Sequence, residues 1–290
     1  MIEVAACVIC DGQIRRLKRA LVAPFLATRI WQRAPFFVDL VECQACGFMF
    51  HNPRLDAAEE ARLYAGYRSA EYCQLRQASE PWYGVQFNAD LASPGSYEIR
   101  RAKVGAILRR HLAQREIQRV LDYRGDHGDL VRGLIEGATA FVYDISGRPT
   151  ADGVTATSDP AGCQADLIIN SNVLEHVGFP RRLVGEISQS APRGGLIFLE
   201  VPCEAPFSLT RIARRVAQVA IMSVTRPALA RTLLRPAVLY MMHEHINYFT
   251  ERSLTTLMWV CGCEVIAAGS YVFAGRAGKG DLAWCLGIAP

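Results

Sequence analysis

Several things are scarce in this 290-residue sequence, and each scarcity narrows what the chain is. An excess of one charge is missing: 32 Lys and Arg face 28 Asp and Glu, for a net charge of +4. That balance argues against a dedicated nucleic-acid binder, whose electrostatic footprint is a strongly basic face. Long apolar runs are missing too. The longest in the middle of the chain, Val216 to Val224, is interrupted by Gln218 and Ser223, and it falls well short of the roughly 20 residues a bilayer span needs. The opening MIEVAACVIC has neither a basic start nor an apolar core of signal-peptide type, so a cytoplasmic protein is expected. No repeats or low-complexity tracts occur. At 51% hydrophobic and 21% charged residues the composition is globular, and the length suits one large domain beside a small one.

Cysteine is not scarce. In a reducing compartment ten cysteines are no disulfide framework, so the clustered ones point to metal. Cys7-x-x-Cys10 and Cys43-x-x-Cys46-Gly47 are two knuckle pairs. Each Cys-x-x-Cys turn aims two thiolates at one point, and two turns complete a tetrahedron. The long gap between the pairs adds little loop entropy. Four thiolates leave no open position, so the expected ion is a structural Zn²⁺ held by Cys7, Cys10, Cys43 and Cys46.

Three zones follow: a four-cysteine module over 1–55, helices over 56–115, and an alternating region over 116–290. Leu55-Asp56-Ala57-Ala58-Glu59-Glu60 has the acids of a capped helix start. Glu98 to His111 is expected to bury Ile99, Ala102, Ile107 and Leu108, with Arg100, Arg101, Lys103, Arg109 and Arg110 elsewhere. Between these helices lie Pro81-Trp82-Tyr83-Gly84 and Ser93-Pro94-Gly95. From Arg119 onward, short apolar runs alternate with helical patterns. The runs are Val120-Leu121-Asp122, Ala140 to Asp144, Asp166 to Ile169, Leu196 to Val201, Cys263 to Ala268 and Leu282 to Ile288. That alternation predicts an α/β fold with a doubly wound, mostly parallel sheet.

The run Val120 to Gly128 reads as a strand that ends in a glycine turn and opens a helix. In nucleotide-binding folds such a turn lets backbone approach the ligand. Asp144, about 16 residues on, closes the next strand where a carboxylate can accept bonds from ribose hydroxyls. A third element follows: Asp166-Leu167-Ile168-Ile169-Asn170-Ser171-Asn172-Val173-Leu174-Glu175-His176-Val177. A fourth is Pro192-Arg193-Gly194-Gly195 before an apolar strand.

In this order the motifs resemble those of class I S-adenosylmethionine-dependent methyltransferases, over roughly residues 97 to 290. The cysteine module followed by Asn52-Pro53-Arg54 is similar to the front end of one subgroup, the sugar C-methyltransferases and their relatives from polysaccharide gene clusters. The resemblance implies a Rossmann-like methyltransferase sheet. It places Asp122, Arg124, Gly125 and the Gly128 turn at the methionine end of the cofactor, Asp144 on the ribose, and Asn170, Ser171 and Asn172 at the reactive mouth. One departure stands out. The family loop reads Asp-x-Gly-x-Gly-x-Gly, and here Arg124 and Asp126 occupy the first two glycine positions. Arg124 narrows the methionine end, and a degenerate, non-catalytic scaffold is the reading it opens.

Methyl transfer is an in-line displacement that needs an aligned acceptor and often a base near neutrality, for which His is the default. Met242-His243-Glu244-His245-Ile246-Asn247-Tyr248-Phe249 is the densest polar constellation. The subgroup carries a similar His-Glu-His stretch beside the acceptor, so His243, Glu244 and His245 are candidate catalytic residues, with His176 a further one. If the stretch is extended, His243 and His245 face one way and Glu244 the other. Alternatively the trio caps the following helix. Met242 stands where many relatives have Tyr, leaving Tyr240 and Tyr248 as nearby hydroxyls. His127 sits in the cofactor loop. A second metal at His243 and His245 is not expected, since no carboxylate-plus-His set is spaced to complete it.

Residues 205–242 form an insertion with Arg211, Arg214, Arg215, Arg226, Arg231 and Arg235 and no acid. It reads either as a helical hairpin with a solvated basic face or as a surface for an anionic acceptor or a peripheral membrane contact. The resulting expectation is a methyltransferase acting by O- or C-methylation on a carbohydrate-type acceptor, a nucleotide sugar or glycan. An RNA or small natural-product acceptor is the alternative within the same enzyme class.

Overall fold

The computed structural model describes the chain except residues 68, 82, 84–93, 113–114, 146–147, 205–208, 226, 234–239 and 276–277. Trp82, Gly84, Ser93, Arg226, Arg235 and the side chain of Arg211, singled out above, lie outside the described residues. The strands are β1 (Ile14–Leu21), β2 (Phe37–Cys43), β3 (Met49–Asn52), β4 (Arg119–Tyr123), β5 (Thr139–Tyr143), β6 (Val154–Ala156), β7 (Leu167–Ser171), β8 (Leu196–Pro202), β9 (Asn247–Tyr248), β10 (Glu264–Gly275) and β11 (Gly278–Ile288). The helices are α1 (Pro24–Trp31), α2 (Ala57–Tyr64), α3 (Ala70–Ser79), α4 (Pro94–His111), α5 (Pro180–Ser190), α6 (Leu209–Thr225), α7 (Pro227–Leu233) and α8 (Glu251–Val260).

The larger sheet has the order β10-β11-β8-β7-β4-β5-β6. Counted along the chain, its seven strands read 3-2-1-4-5-7-6. This is the doubly wound order with one strand, β11, inserted antiparallel to both of its neighbours. The rest of the ladder is parallel. Alternation of side chains sends Leu167, Ile169, Leu196 and Phe198 to one face, under Val104 and Leu108 of α4. Ile168, Ile197 and Leu199 go to the other, under α5 and α8. Burial on both faces explains the unbroken apolar runs in the sequence. Thr250 and Ser253 form a capping box that starts α8, and Asp56 with Glu59 does the same for α2.

Two expectations need correction. The cofactor turn does not open a helix: residues 126–133 are successive turns, joined by bonds such as Gly128 N to Gly125 O (2.9 Å) and Leu134 N to Val131 O (3.1 Å). Left-handed backbone at residues 126, 128, 133 and 137 breaks any helical path. In α4, Ile99 and Ala102 are exposed, and the buried face runs through Val104 and Leu108. Arg100 takes an inward position because Glu200, wholly buried on β8, waits there.

The second sheet, β1-β2-β3-β9, is antiparallel and joins the N-terminal strands to residues 247–248. β9 lies directly after the His-Glu-His stretch and pairs Met49 with Tyr248 and Phe50 with Asn247. Phe48 packs against Phe249 with ring centroids 4.8 Å apart, inside a core that also holds Leu174 and Val177. Arg54 is fully buried. Its guanidinium donates to the carbonyls of His51 (2.7 Å), Gly178 (2.8 Å) and Val177 (3.2 Å) and to Asn247 Oδ1. One side chain thus ties β3, the loop after β7 and β9 together.

Candidate active site

The cofactor turn is built on the end of β4. Asp122 is buried, and burial raises its carboxyl to about 7, with Arg100 opposing the rise. A Cβ added to Gly125 would sit 1.9 Å from Asp122 Cγ, and one on Gly128 would meet Val154 Cγ1 at 2.7 Å. Backbone therefore passes these carboxylate and valine groups at a distance only glycine allows. Arg124 (φ 64°), Asp126 (φ 55°) and Gly128 (φ 76°) are all left-handed. The turn therefore holds left-handed backbone at three alternate positions, two of them with a side chain in place of a hydrogen. The Asp126 amide donates to Asp144 Oδ2 (3.0 Å), and Arg148 Nη1 donates to both Asp126 oxygens (3.1 and 3.2 Å). Asp144 thus stands over the turn from the end of β5. His127 contacts the Pro149 carbonyl through Nδ1.

Across the turn, Asn170 Nδ2 donates to the Tyr123 carbonyl (2.8 Å). Its Oδ1 is buried without a hydrogen-bond partner among the described residues. Ser171 Oγ donates to Glu200 Oε1 (2.8 Å), Arg100 Nη2 donates to the same oxygen (2.7 Å), and Tyr271 donates to Glu200 Oε2 (2.8 Å). Asn172, left-handed at φ 56°, turns its amide oxygen toward Arg100. Burial works against the Arg100 charge, and the Glu200 carboxylate outweighs it and holds the guanidinium protonated. Sequence reasoning missed this network. The signals for it are an acid inside an apolar strand, Glu200, and an arginine on a helix that has to face a sheet.

The third group lies further along the loop after β7. His176 and His245 stack edge to face with centroids 4.7 Å apart. His176 Nδ1 lies 3.2 Å from the Glu244 carbonyl, and Nε2 lies 3.7 Å from Glu175 Oε1. His245 Nδ1 lies 3.1 Å from Glu204 Oε1. The two rings differ in charge. Burial, reinforced by His245, pulls His176 down to about 3. Partial burial also opposes charge on His245, but Glu204 raises it to about 9. Burial lifts Glu175 to about 7.

His243 and Glu244 do not alternate across a strand as expected. Both turn toward α3 and the residue that follows it. His243 Nδ1 pairs with Glu80 (3.0 Å), while Glu244 accepts from Tyr72 (2.6 Å) and Arg76 (2.6 Å). The stretch follows an irregular path because residue 242 bridges to Val22 and residues 247–248 pair with β3, which turns the three side chains between them. Tyr248 is engaged with His51 (3.2 Å). Tyr64 stands edge to face with His176, ring centroids 5.9 Å apart, and its hydroxyl oxygen is buried.

Ligand atoms of Glu175, His176 and His245 lie within 4.8 Å of one another. A carboxylate-plus-two-His set therefore does assemble, through His176 rather than His243, contrary to the expectation from sequence. A metal at this set would have to displace the proton that Glu204 favours on His245. Among the described residues the other such group is Cys7, Cys10, Cys43 and Cys46, again within 4.8 Å. Cys7 and Cys46 sulfurs are 3.8 Å apart, and those of Cys10 and Cys43 are 3.5 Å apart. A tetrahedron with metal–sulfur bonds of ~2.3 Å has edges of about 3.8 Å, so the four thiols fit one structural ion.

A doubly wound sheet with the 3-2-1-4-5-7-6 order and a glycine turn at the end of its first strand is the architecture that nucleotide-type cofactor enzymes use. The chain belongs to the methyltransferase-domain family, whose model matches residues 96–268, more than half its length. It is an S-adenosylmethionine-dependent methyltransferase. No curated protein matches the chain significantly. Among solved structures it is similar to the 1,6-didemethyltoxoflavin-N1-methyltransferase of Burkholderia thailandensis, at 15% identity and TM-score 0.49, covering 87% of this chain and 95% of that one. It is also similar to the magnesium protoporphyrin IX methyltransferase of Synechocystis, at 14% identity and TM-score 0.46, covering 82% and 100%. The assignment rests on the family match and the sheet order.

Proposed function

We propose that the protein methylates an oxygen or carbon of a carbohydrate-type acceptor, a nucleotide sugar or glycan, and that His245 removes the acceptor's proton. The observation that carries this reading is that one continuous segment, 170–178, running from the end of β7 into the following loop, forms both halves of the site. Its start braces the cofactor turn through Asn170, and its middle sets Glu175 and His176 against His245.

S-adenosylmethionine, when bound, supplies a sulfonium methyl. In this reading Asp122, Arg124, Gly125 and Gly128 hold its methionine end, Asp144 takes the ribose, and Asn170 to Asn172 line the mouth. Glu204 orients His245 through Nδ1 and leaves Nε2 for the acceptor. The dyad is a base with a high pKa, and a positive charge brought close to it favours the neutral, proton-accepting form. His176 remains neutral and packs the ring in place. His243 and Glu244 act as positioning residues that fix the stretch to α3.

The carbohydrate class is supported by the resemblance carried by the Cys pairs, Asn52-Pro53-Arg54 and the His-Glu-His stretch. Structural Zn²⁺ at the four thiols belongs to the same reading. So does a cytoplasmic location, where the thiols stay reduced. So does a division into a module at 1–55, linking helices at 56–115 and a catalytic region at 116–290 with its insertion at 205–242.

Calorimetric titration with S-adenosylmethionine and S-adenosylhomocysteine, followed by methyl-transfer assays on nucleotide sugars, tests the proposal. Micromolar cofactor binding with transfer to a sugar is the expected result. Cofactor binding with transfer only to RNA or to non-sugar metabolites would remove the acceptor class. No cofactor binding by folded protein would return the chain to the scaffold reading.

A further inference from the structure

A surface on the insertion beside the His-Glu-His stretch has its own pattern. Helix α6 places Met222, and the half-buried Val219 beside it, in the core that also carries Met242, Ile246 and Tyr72. A different side of the same helix bears Leu209, Ala213, Val216, Ala220 and Val224, all exposed and all at helical spacing. Leu209 is 83% exposed, Val216 58% and Val224 84%. Isolated apolar side chains on a surface need no explanation, but a continuous stripe does. Arg214 on this helix and Arg231 on α7 are exposed, and the sequence from 205 to 242 contains no Asp or Glu.

We infer that α6 docks on an anionic membrane surface, with its apolar stripe in the headgroup layer and its arginines on lipid phosphates. An amphipathic helix with one apolar face and basic flanks binds by apolar burial plus attraction to anionic lipid. No helix among the described residues is long and apolar enough to cross a membrane, so the contact is peripheral. A second copy of the chain fits less well as the occupant. A two-fold contact places the same patch on both partners, and this patch would bring arginine to arginine with no acid to pair them.

Flotation of the full-length protein with vesicles tests the inference. The wild type is expected to rise with vesicles of phosphatidylcholine mixed with phosphatidylglycerol, to stay behind with phosphatidylcholine alone, and to be released by salt. The double variant Val216→Glu, Val224→Glu is expected to lose flotation while melting like the wild type. Arg214→Ser should weaken binding roughly fivefold, the ratio expected for one basic group at a charged bilayer. Should the double variant unfold, Val224→Ser alone, at an 84% exposed position, takes its place and should weaken binding. The inference is overturned by a wild type that does not float with anionic vesicles, or by folded stripe variants that float equally well. It is also overturned by a wild-type dimer in light scattering that the stripe variants turn into monomer.

Discussion

His176 and His245 lie face to edge, yet their basicities are driven in opposite directions, one to about 3 and the other to about 9. The difference comes from Glu204, which pairs directly with His245, whereas on His176 its attraction is outweighed by burial and by His245. A base must be neutral to accept a proton, so a raised pKa means that turnover climbs with pH until His245 is mostly deprotonated. The rate of methyl transfer is therefore expected to fall about tenfold per pH unit below an apparent pKa above neutrality. Glu204→Gln removes the charge that raises His245, so the rising limb should move toward acid. A limb that stays in place would clear Glu204 of this role. His245→Ala should abolish transfer while calorimetric cofactor affinity stays; loss of both together would make the residue structural. Asp144→Ala should weaken cofactor binding by about 1.5–3 kcal/mol, the scale of a hydrogen bond to a charged group. Because Asp144 also accepts the Asp126 amide, Asp144→Asn is the companion variant. It keeps an acceptor for the amide, and only a ribose contact that needs the full charge would still be lost.

The turn between β4 and β5 shows what a sequence can and cannot disclose about an element. The strands were legible because both of their faces are buried, which forces unbroken apolar runs. The helix expected after the turn was not there, since left-handed residues recur through 137, and a pattern of apolar spacing does not report backbone hand. Arg100 was placed outside because periodicity counts arginine as a surface residue, and its partner Glu200 lies 100 residues away. Two-residue β9 was too short to register as a strand, although it sets the path of the His-Glu-His stretch. The thiol pairs and the loop after β7 were legible because their spacing is local. A prediction follows for the turn itself. A non-glycine residue held left-handed costs about 1–2 kcal/mol, and Arg124 is so held. Arg124→Gly should therefore raise the melting temperature, and it should tighten S-adenosylmethionine if the arginine crowds the methionine end. A lower melting temperature would mean that contacts of the guanidinium outweigh the backbone strain.

At the scale of the whole molecule, the thiol cluster and the candidate base share one sheet. β2 ends on Cys43, β3 lies beside it, and β9 continues from the His-Glu-His stretch onto β3. Arg54 reinforces that path, because its buried guanidinium satisfies carbonyls of residues 51, 177 and 178 and the side chain of Asn247. The cofactor turn, by contrast, hangs from β4 and β5 in the other sheet. Damage to the module should therefore reach the acceptor side first. Cys43→Ser, or chelation of a structural zinc, is expected to remove about one metal equivalent per chain and to loosen residues 1–55. Hydrogen exchange should rise in β3 and β9 and around His245, while exchange in β4, β5 and β7 changes little. Arg54→Met takes the guanidinium from the carbonyls of residues 51 and 178 and from Asn247 Oδ1, while the residue 177 carbonyl keeps Asn247 Nδ2; at a cost of about 1–3 kcal/mol for each group left unsatisfied, it should produce the same pattern with the metal still bound. Both variants should lose methyl transfer more than they lose S-adenosylmethionine affinity. Equal loss of the two, with exchange rising across both sheets, would mean that the chain unfolds as one unit and that the module's link to His245 has no separate effect on catalysis.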